Sequence, residues 1–179
     1  AQPDNPVDAV WLGQPAPPLS PIESYGPDFA GSTSAEKRAL IDKPWDVVVM
    51  HGYSTLDQAN PGNPALLVSS AKQITDMFRA RNPKAEIWLT ATWSRADQTY
   101  PAAKPWTGKP IAQMGKDVAA GYAAAATSAN VTGVVPVGLA WNRAFETGVA
   151  DANPYDGIAA GKVDLWTHDH YHASVYGYY

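Results

Sequence analysis

The chain has 179 residues, 45% of them hydrophobic and 17% charged, which is the composition of one globular domain rather than of a disordered chain. Its formal net charge is -4 and it has no cluster of Lys and Arg, which argues against binding to nucleic-acid phosphates. No apolar run approaches the roughly 20 residues that span a bilayer, so no membrane span is predicted. The absence of cysteine excludes disulfides, thiolate metal sites and cysteine nucleophiles.

Residues 1–44 are predicted to form an irregular segment, because prolines recur there and each one removes a backbone donor. Within this segment, residues 7–12 (VDAVWL) are the one candidate strand, and Ser34 can cap a short helix. The first residues, Ala-Gln-Pro-Asp, would suit a mature end left after removal of a signal peptide. This start favours a periplasmic or secreted protein over a cytoplasmic one.

Residues 45–179 alternate between short apolar runs and helical patterns. The apolar runs at residues 46–50 (DVVVM), 86–92 (EIWLTAT) and 134–137 (VVPV) are typical of strands buried in a parallel sheet. The alternation predicts an α/β domain with three adjacent strands in chain order and helices on both faces of the sheet.

Three helices are predicted to connect or follow these strands. The first starts at Asn63, with the asparagine as cap and proline in the first turn, and stops at Asn82. The second has an apolar face that consists of Ile111, Met114, Val118 and Tyr122. The third covers residues 139–147. In addition, residues 172–179 are predicted to open a last helix.

Asp169-His170-Tyr171-His172 is the most informative stretch of the chain. A carboxylate and an imidazole three residues apart in a turn can lie side by side, so that Asp169 accepts a proton from one ring nitrogen of His172. The second ring nitrogen is then free to act as a base. Since ligands of parallel sheets bind at the carboxyl ends of the strands, we expect this turn to meet the segments 51–57, 93–100 and 138–141 there.

Residues 45–179 resemble the SGNH (GDSL-type) hydrolases, in particular a bacterial branch of that superfamily. The family's last block is Asp-x-x-His, which matches Asp169 and His172, and its third block has a glycine after a strand, which matches Gly52. The resemblance implies a three-layer, flavodoxin-like fold and a serine esterase that acts on a small ester, with a carbohydrate acetyl ester as the suggested substrate. It also implies that Gly52 and Ser54 stabilise the oxyanion, although the family has asparagine at the position of Ser54.

The nucleophile of such an enzyme is not recognisable in this sequence. The family carries it in a Gly-Asp-Ser block after the first strand, and the comparable place around Gly13 has no serine. Three explanations stay open: the chain is a fragment of a longer hydrolase, its N-terminus is rearranged, or the site has lost its nucleophile. The last explanation leaves a rival function, which is a non-catalytic domain that binds a carbohydrate or a partner.

Four further residues are candidates for substrate binding because they follow the first two strands: His51, Tyr53, Trp93 and Arg95. Arg95 could hold a substrate oxygen or carboxylate, or form a structural salt bridge. The seven Trp and nine Tyr residues suit either a sugar-facing cleft or ordinary packing.

His168, His170 and His172 could together bind zinc, but His51 is the only other histidine, so we favour the catalytic interpretation. The sequence therefore predicts neither a metal nor another cofactor, and it leaves the oligomeric state open.

Overall fold

The protein is described by a computed structural model that covers residue 39 and residues 41–178. The strand predicted at residues 7–12 and the helix start predicted at Ser34 lie outside the described residues. In the part of the chain that is described, no helix is long and apolar enough to cross a membrane.

Three parallel strands form one sheet in the order β1-β2-β3. They are β1 (Val47–Met50), β2 (Glu86–Ala91) and β3 (Gly133–Pro136). In the register of the sheet, Met50 pairs with Leu89, and Ala91 pairs with Pro136. The prediction of three parallel strands, adjacent in chain order, is thus confirmed.

Two long helices connect the strands, α1 (Ala65–Arg81) and α2 (Ile111–Ala129). At the start of α1, the Asn63 side-chain oxygen accepts a hydrogen bond from the Ala65 N–H at 3.0 Å, which is the capping contact that the sequence predicts. The helix ends before Asn82, as predicted. The predicted apolar face of α2 is buried in full, at Ile111, Met114, Val118 and Tyr122.

The third helix, α3 (Val137–Glu146), follows β3 without a loop. The sequence predicts a strand that includes Val137 and a helix from residue 139, whereas the strand ends at Pro136 and the helix begins with the next residue. Gly138 permits this early start, since a Cβ atom there would overlap the Thr92 carbonyl oxygen. The final helix, α4 (Val175–Tyr178), is a single turn.

The two faces of the sheet differ in burial. On one face Ile87 and Leu89 of the central strand are buried, and Leu89 belongs to a core that α1 and α2 share. On the opposite face Val47 and Val49 are 57% and 63% exposed. Within the described residues, the prediction of an α/β sheet flanked by helices is met, whereas the covering of both faces is not seen.

A second apolar cluster lies beside the last turns of the chain. It is separate from the core between α1, α2 and the sheet. It joins the loop after β2 and the first residue of α2 to α3 and to the segment before α4. This cluster supports the turn that contains Asp169 and His172. Its buried residues are Ala96, Ile111, Trp141, Ala150, Leu165, Trp166 and Ala173.

Candidate active site

Asp169 and His172 form the hydrogen bond that the sequence predicts. The distance between Asp169 Oδ2 and His172 Nδ1 is 2.5 Å. With the carboxylate ionised, Nδ1 carries the proton that it donates, so Nε2 is left as the unprotonated nitrogen of a neutral ring. The His172 side chain is 63% exposed, so the ring is accessible from solvent.

Three more donors converge on the second oxygen of the same carboxylate. Asp169 Oδ1 accepts hydrogen bonds from Thr167 Oγ1 at 2.7 Å, and from the N–H groups of Tyr171 and His172 at 2.9 Å each. The hydrogen bond from the His172 ring is the main cause that holds the pKa of Asp169 below its usual range. Burial opposes this shift, and the three bonds to Oδ1 lower the pKa further. Asp169 is therefore ionised at neutral pH.

The backbone of the turn brings the two side chains together. His170 has a φ of 56°, in the left-handed region that residues other than glycine adopt rarely. Two backbone hydrogen bonds stabilise this turn. The His170 N–H donates to Thr167 O at 2.9 Å, and the Thr167 N–H donates to His172 O at 2.8 Å. The chain reverses at His170, so Asp169 and Tyr171 lie on opposite arms of the turn. This reversal brings the Asp169 carboxylate to the His172 ring.

Three tryptophan side chains anchor the C-terminal segment. Trp93 Nε1 donates to Tyr171 O at 2.8 Å, and Trp141 Nε1 donates to Gly177 O at 3.1 Å. The Trp93 and Trp141 rings stack with their centroids 5.0 Å apart. Trp166 Nε1 donates to Ser94 O at 2.9 Å, which joins this segment to the loop after β2. These contacts favour packing as the interpretation of the three aromatic residues. The assignment of Trp93 to substrate binding stays a prediction.

Arg95 lies between the loop after β1 and the turn. Its Nε and Nη2 donate to the two carboxylate oxygens of Asp97 at 2.9 and 2.6 Å, which is the salt bridge of the structural interpretation. Its Nη1 donates to Ser54 Oγ at 3.0 Å, and its guanidinium lies 3.6 Å from the centroid of the Tyr171 ring. Tyr171 in turn contacts the His172 ring, at 4.3 Å between centroids. The structure thus connects Ser54 to the Asp169–His172 pair through two side chains.

Gly52 has a different environment from the one that the resemblance implies. Its N–H donates to the hydroxyl of the buried Tyr122 at 2.8 Å, so this N–H is already paired inside the fold. A Cβ atom at Gly52 would lie 2.9 Å from Leu67 Cδ1, so a larger residue there would displace the end of that side chain. Burial raises the pKa of the Tyr122 phenol, against a smaller opposite effect of this bond, so the phenol stays protonated at neutral pH. An oxyanion role for the Gly52 N–H would require this bond to open.

The neighbours of Gly52 are exposed. His51 and Tyr53 are both on the surface, and His51 Nδ1 lies 3.1 Å from Gly52 O. No hydrogen bond among the described residues connects either side chain to Asp169 or His172. Their assignment to substrate binding stays a prediction.

The histidines of the turn do not share one face. The His170 ring packs against Tyr155, with 4.3 Å between centroids, whereas His172 faces Asp169. Over the described ranges, no three His, Cys, Asp or Glu side chains are grouped so that they could hold a metal ion.

Sequence reasoning missed three residues that shape the site: Thr167, Asp97 and Tyr122. Thr167 stands two residues before Asp169, and Asp97 two residues after Arg95, so a search for short-range polar pairs would have found both. Tyr122 left no comparable signal, because its partner Gly52 is 70 residues away in the chain.

Comparison with protein-family models, with curated proteins and with solved structures gives no match to this chain. The chemistry of the turn is therefore the guide to a function. The arrangement contains an exposed imidazole, a carboxylate bonded to one of its nitrogens, and a hydroxyl that a charged donor contacts, which are the kinds of groups that acyl transfer uses.

Proposed function

We propose that this chain carries the acid–base pair of an SGNH-type serine hydrolase that acts on a small ester, with carbohydrate acetyl esters as the substrate class. The observation that carries the proposal is the 2.5 Å contact between His172 Nδ1 and the Asp169 carboxylate. In hydrolases with such a pair, the carboxylate selects the ring tautomer and stabilises the imidazolium that forms during the reaction.

In the proposed reaction, His172 Nε2 takes the proton of a serine hydroxyl as the serine oxygen attacks the ester carbonyl. The ester C–O bond then breaks, and the leaving alcohol takes that proton from the imidazolium. Water, activated by the same nitrogen, hydrolyses the acyl-serine and releases the acid. The Ser54 hydroxyl is the proposed donor to the developing oxyanion. Since the serine nucleophile is unassigned, its identity is the first question for experiment.

The rival proposal is a non-catalytic domain that binds a carbohydrate or a partner. One observation favours it: within residues 41–178, no serine hydroxyl is hydrogen-bonded to His172. A domain of this kind would keep the turn for structural reasons and would have no acyl-enzyme chemistry.

Labelling with a fluorophosphonate, followed by mapping of the modified residue, separates the two proposals. We expect a labelled serine and turnover of p-nitrophenyl acetate, with both strongly reduced in His172→Ala. The loss of turnover should reach about 10³-fold or more, because the base is removed. The protein should remain folded, with only the loss of stability that follows from removing the ring's bond to Asp169, since the side chain is largely exposed.

A matched substitution at His168, which is also exposed, serves as the control for loss of an imidazole. If His168→Ala reduces labelling as strongly as His172→Ala, the assignment of the base is wrong. A protein that takes no label but binds sugars supports the rival proposal. Loss of turnover with a chelator would instead support a metal-dependent reaction.

A further inference from the structure

The Arg95 side chain is held by three different parts of the chain. Its contacts are Asp97 in the same loop, Ser54 in the loop after β1, and the Tyr171 ring in the turn beside His172. The guanidinium is a rigid plane, so these contacts constrain one another. A movement of the turn relative to Ser54 would break either the stacking or a hydrogen bond.

The positive charge of Arg95 is compensated by the carboxylate of Asp97. The Arg95 and Asp97 side chains are only 16% and 24% exposed, and they are joined by two parallel N–H to carboxylate bonds. Asp97 also accepts a hydrogen bond from Gln98 Nε2 at 2.7 Å, and its own N–H donates to His170 O at 3.3 Å. With its charge compensated in this way, Arg95 is better suited to hold protein groups than to bind a substrate carboxylate.

The contact with Ser54 also affects the hydroxyl proton of that residue. Arg95 Nη1 donates to Ser54 Oγ, so the hydroxyl proton of Ser54 is free to point to another acceptor. A charged donor on the oxygen polarises the hydroxyl and makes it a stronger donor. The same contact therefore places Ser54 and prepares it to donate.

We propose that Arg95 is a positioning residue that holds the Ser54 hydroxyl and the Asp169–His172 turn in a fixed relative arrangement. The inference rests on the proposed function, because it assigns Ser54 and His172 to one reaction. Arg95 itself contacts neither the reacting atoms nor the substrate in this proposal, and it acts through Ser54 and Tyr171.

The test compares Arg95→Met and Arg95→Lys with Arg81→Met. Arg81 is a matched control, because it also donates from Nε and Nη2 to one aspartate, Asp42, but it is exposed at the end of α1. Two measurements need no activity: hydrogen exchange of the peptide 167–173, and the downfield NMR resonance of the His172 Nδ1 proton. His172→Ala identifies that resonance by its loss.

Both Arg95 variants should raise the exchange rate in residues 167–173 at least about 10-fold, and broaden the Nδ1 resonance, with little change in α1 and α2. A lysine keeps the charge but offers neither a planar face nor the two parallel bonds, so it should not restore the wild-type behaviour. In an active enzyme, kcat should fall about 100-fold with a much smaller change in KM. Arg81→Met should leave all these quantities at their wild-type values.

Wild-type exchange rates in both Arg95 variants would overturn the inference, and so would an increase of exchange spread over the whole chain, which would indicate a role in the fold alone. Full recovery in Arg95→Lys would also contradict it, since charge would then be sufficient. If the Nδ1 resonance of His172 is not observed in the wild-type protein, the hydrogen exchange of residues 167–173 is the deciding measurement. A protein without turnover in which the turn still responds to Arg95→Met would refute the hydrolase proposal and keep the structural part of the inference.

Discussion

At the scale of single residues, the candidate site depends on the number of donors that reach one carboxylate. Asp169 accepts hydrogen bonds from a hydroxyl, an imidazole and two backbone N–H groups. Three of these donors belong to Tyr171 and His172, so the carboxylate closes the turn as well as orienting the ring. The catalytic interpretation and the stability of the turn therefore have a common origin.

Asp169→Asn should reveal this double role through the pH dependence of stability. The folded pKa of Asp169 is depressed, so its contribution to stability is present above the unfolded pKa of about 3.9 and is lost as pH falls through the folded pKa. We expect the variant to be less stable than the wild type at pH 7, with a difference that shrinks below about pH 4. Urea unfolding at several pH values measures it.

Asp76→Asn is the control for this measurement, because Asp76 forms an exposed pair with Lys72 on α1. An exposed pair contributes about 0–1 kcal/mol, so its variant should show little dependence on pH. If Asp169→Asn is equally insensitive, the carboxylate does not hold the turn in solution.

The residues of the turn could be predicted because they are neighbours in the sequence. Asp169 and His172 are three positions apart, and a tight turn is sufficient to bring their side chains together. The pairing of Gly52 with Tyr122 could not be predicted in this way, because the packing of α2 against the sheet decides which N–H the phenol meets.

At the scale of secondary-structure elements, the backbone of α3 packs closely against the chain just after β2. Gly138 lies in the first turn of α3, against the backbone of Thr92 and Trp93. The Trp93 side chain then supports Tyr171 through its N–H. The position of α3 is thereby linked to the position of the turn.

Gly138→Ala should destabilise the protein although alanine is the better helix former. The added Cβ would overlap the Thr92 carbonyl oxygen, and backbone atoms cannot move aside cheaply. We expect a loss of about 1–3 kcal/mol from this overlap, measured by chemical unfolding. Helix propensity alone would give a gain of about 1 kcal/mol.

The reverse substitution at an exposed position of the same helix isolates the propensity. Ala140 is exposed, so Ala140→Gly should cost about 1 kcal/mol without any change in packing. A stabilised Gly138→Ala protein would mean that the α3 backbone lies farther from Thr92 in solution.

The types of the helices and strands were predicted more accurately than their ends. All three strands and the buried face of α2 follow from the apolar pattern, since that pattern records which side chains meet the core. The direct passage from β3 into α3 does not follow from it, because Val137 suits a strand as well as a helix. The close contact at Gly138 decides between the two.

At the scale of the whole molecule, the sheet is asymmetric. Leu89 and Ile87 are buried on the face that α1 and α2 cover, and Val47 and Val49 are exposed on the other face. The residues of β1 give no sign of this difference, because Val47, Val48 and Val49 are all apolar.

Paired substitutions on the two faces test the asymmetry. Leu89→Ala should lower the free energy of unfolding by about 2–5 kcal/mol, because it leaves a cavity in the core. Val49→Thr should change it by no more than about 0.5 kcal/mol, because the side chain is exposed. Urea unfolding of the full chain measures both. A large loss in Val49→Thr would show that this face is covered in solution.

The sequence by itself determined the class of the fold, the order of its strands, and the pairing of Asp169 with His172. These features depend on the period of the apolar residues and on the reach of a side chain across a short turn, which are local properties. The tertiary structure decided that the Gly52 N–H is paired with Tyr122, that Arg95 connects Ser54 to Tyr171, and that three tryptophans support the turn. Each of these contacts joins residues that are distant in the chain, so it depends on how the helices and strands pack.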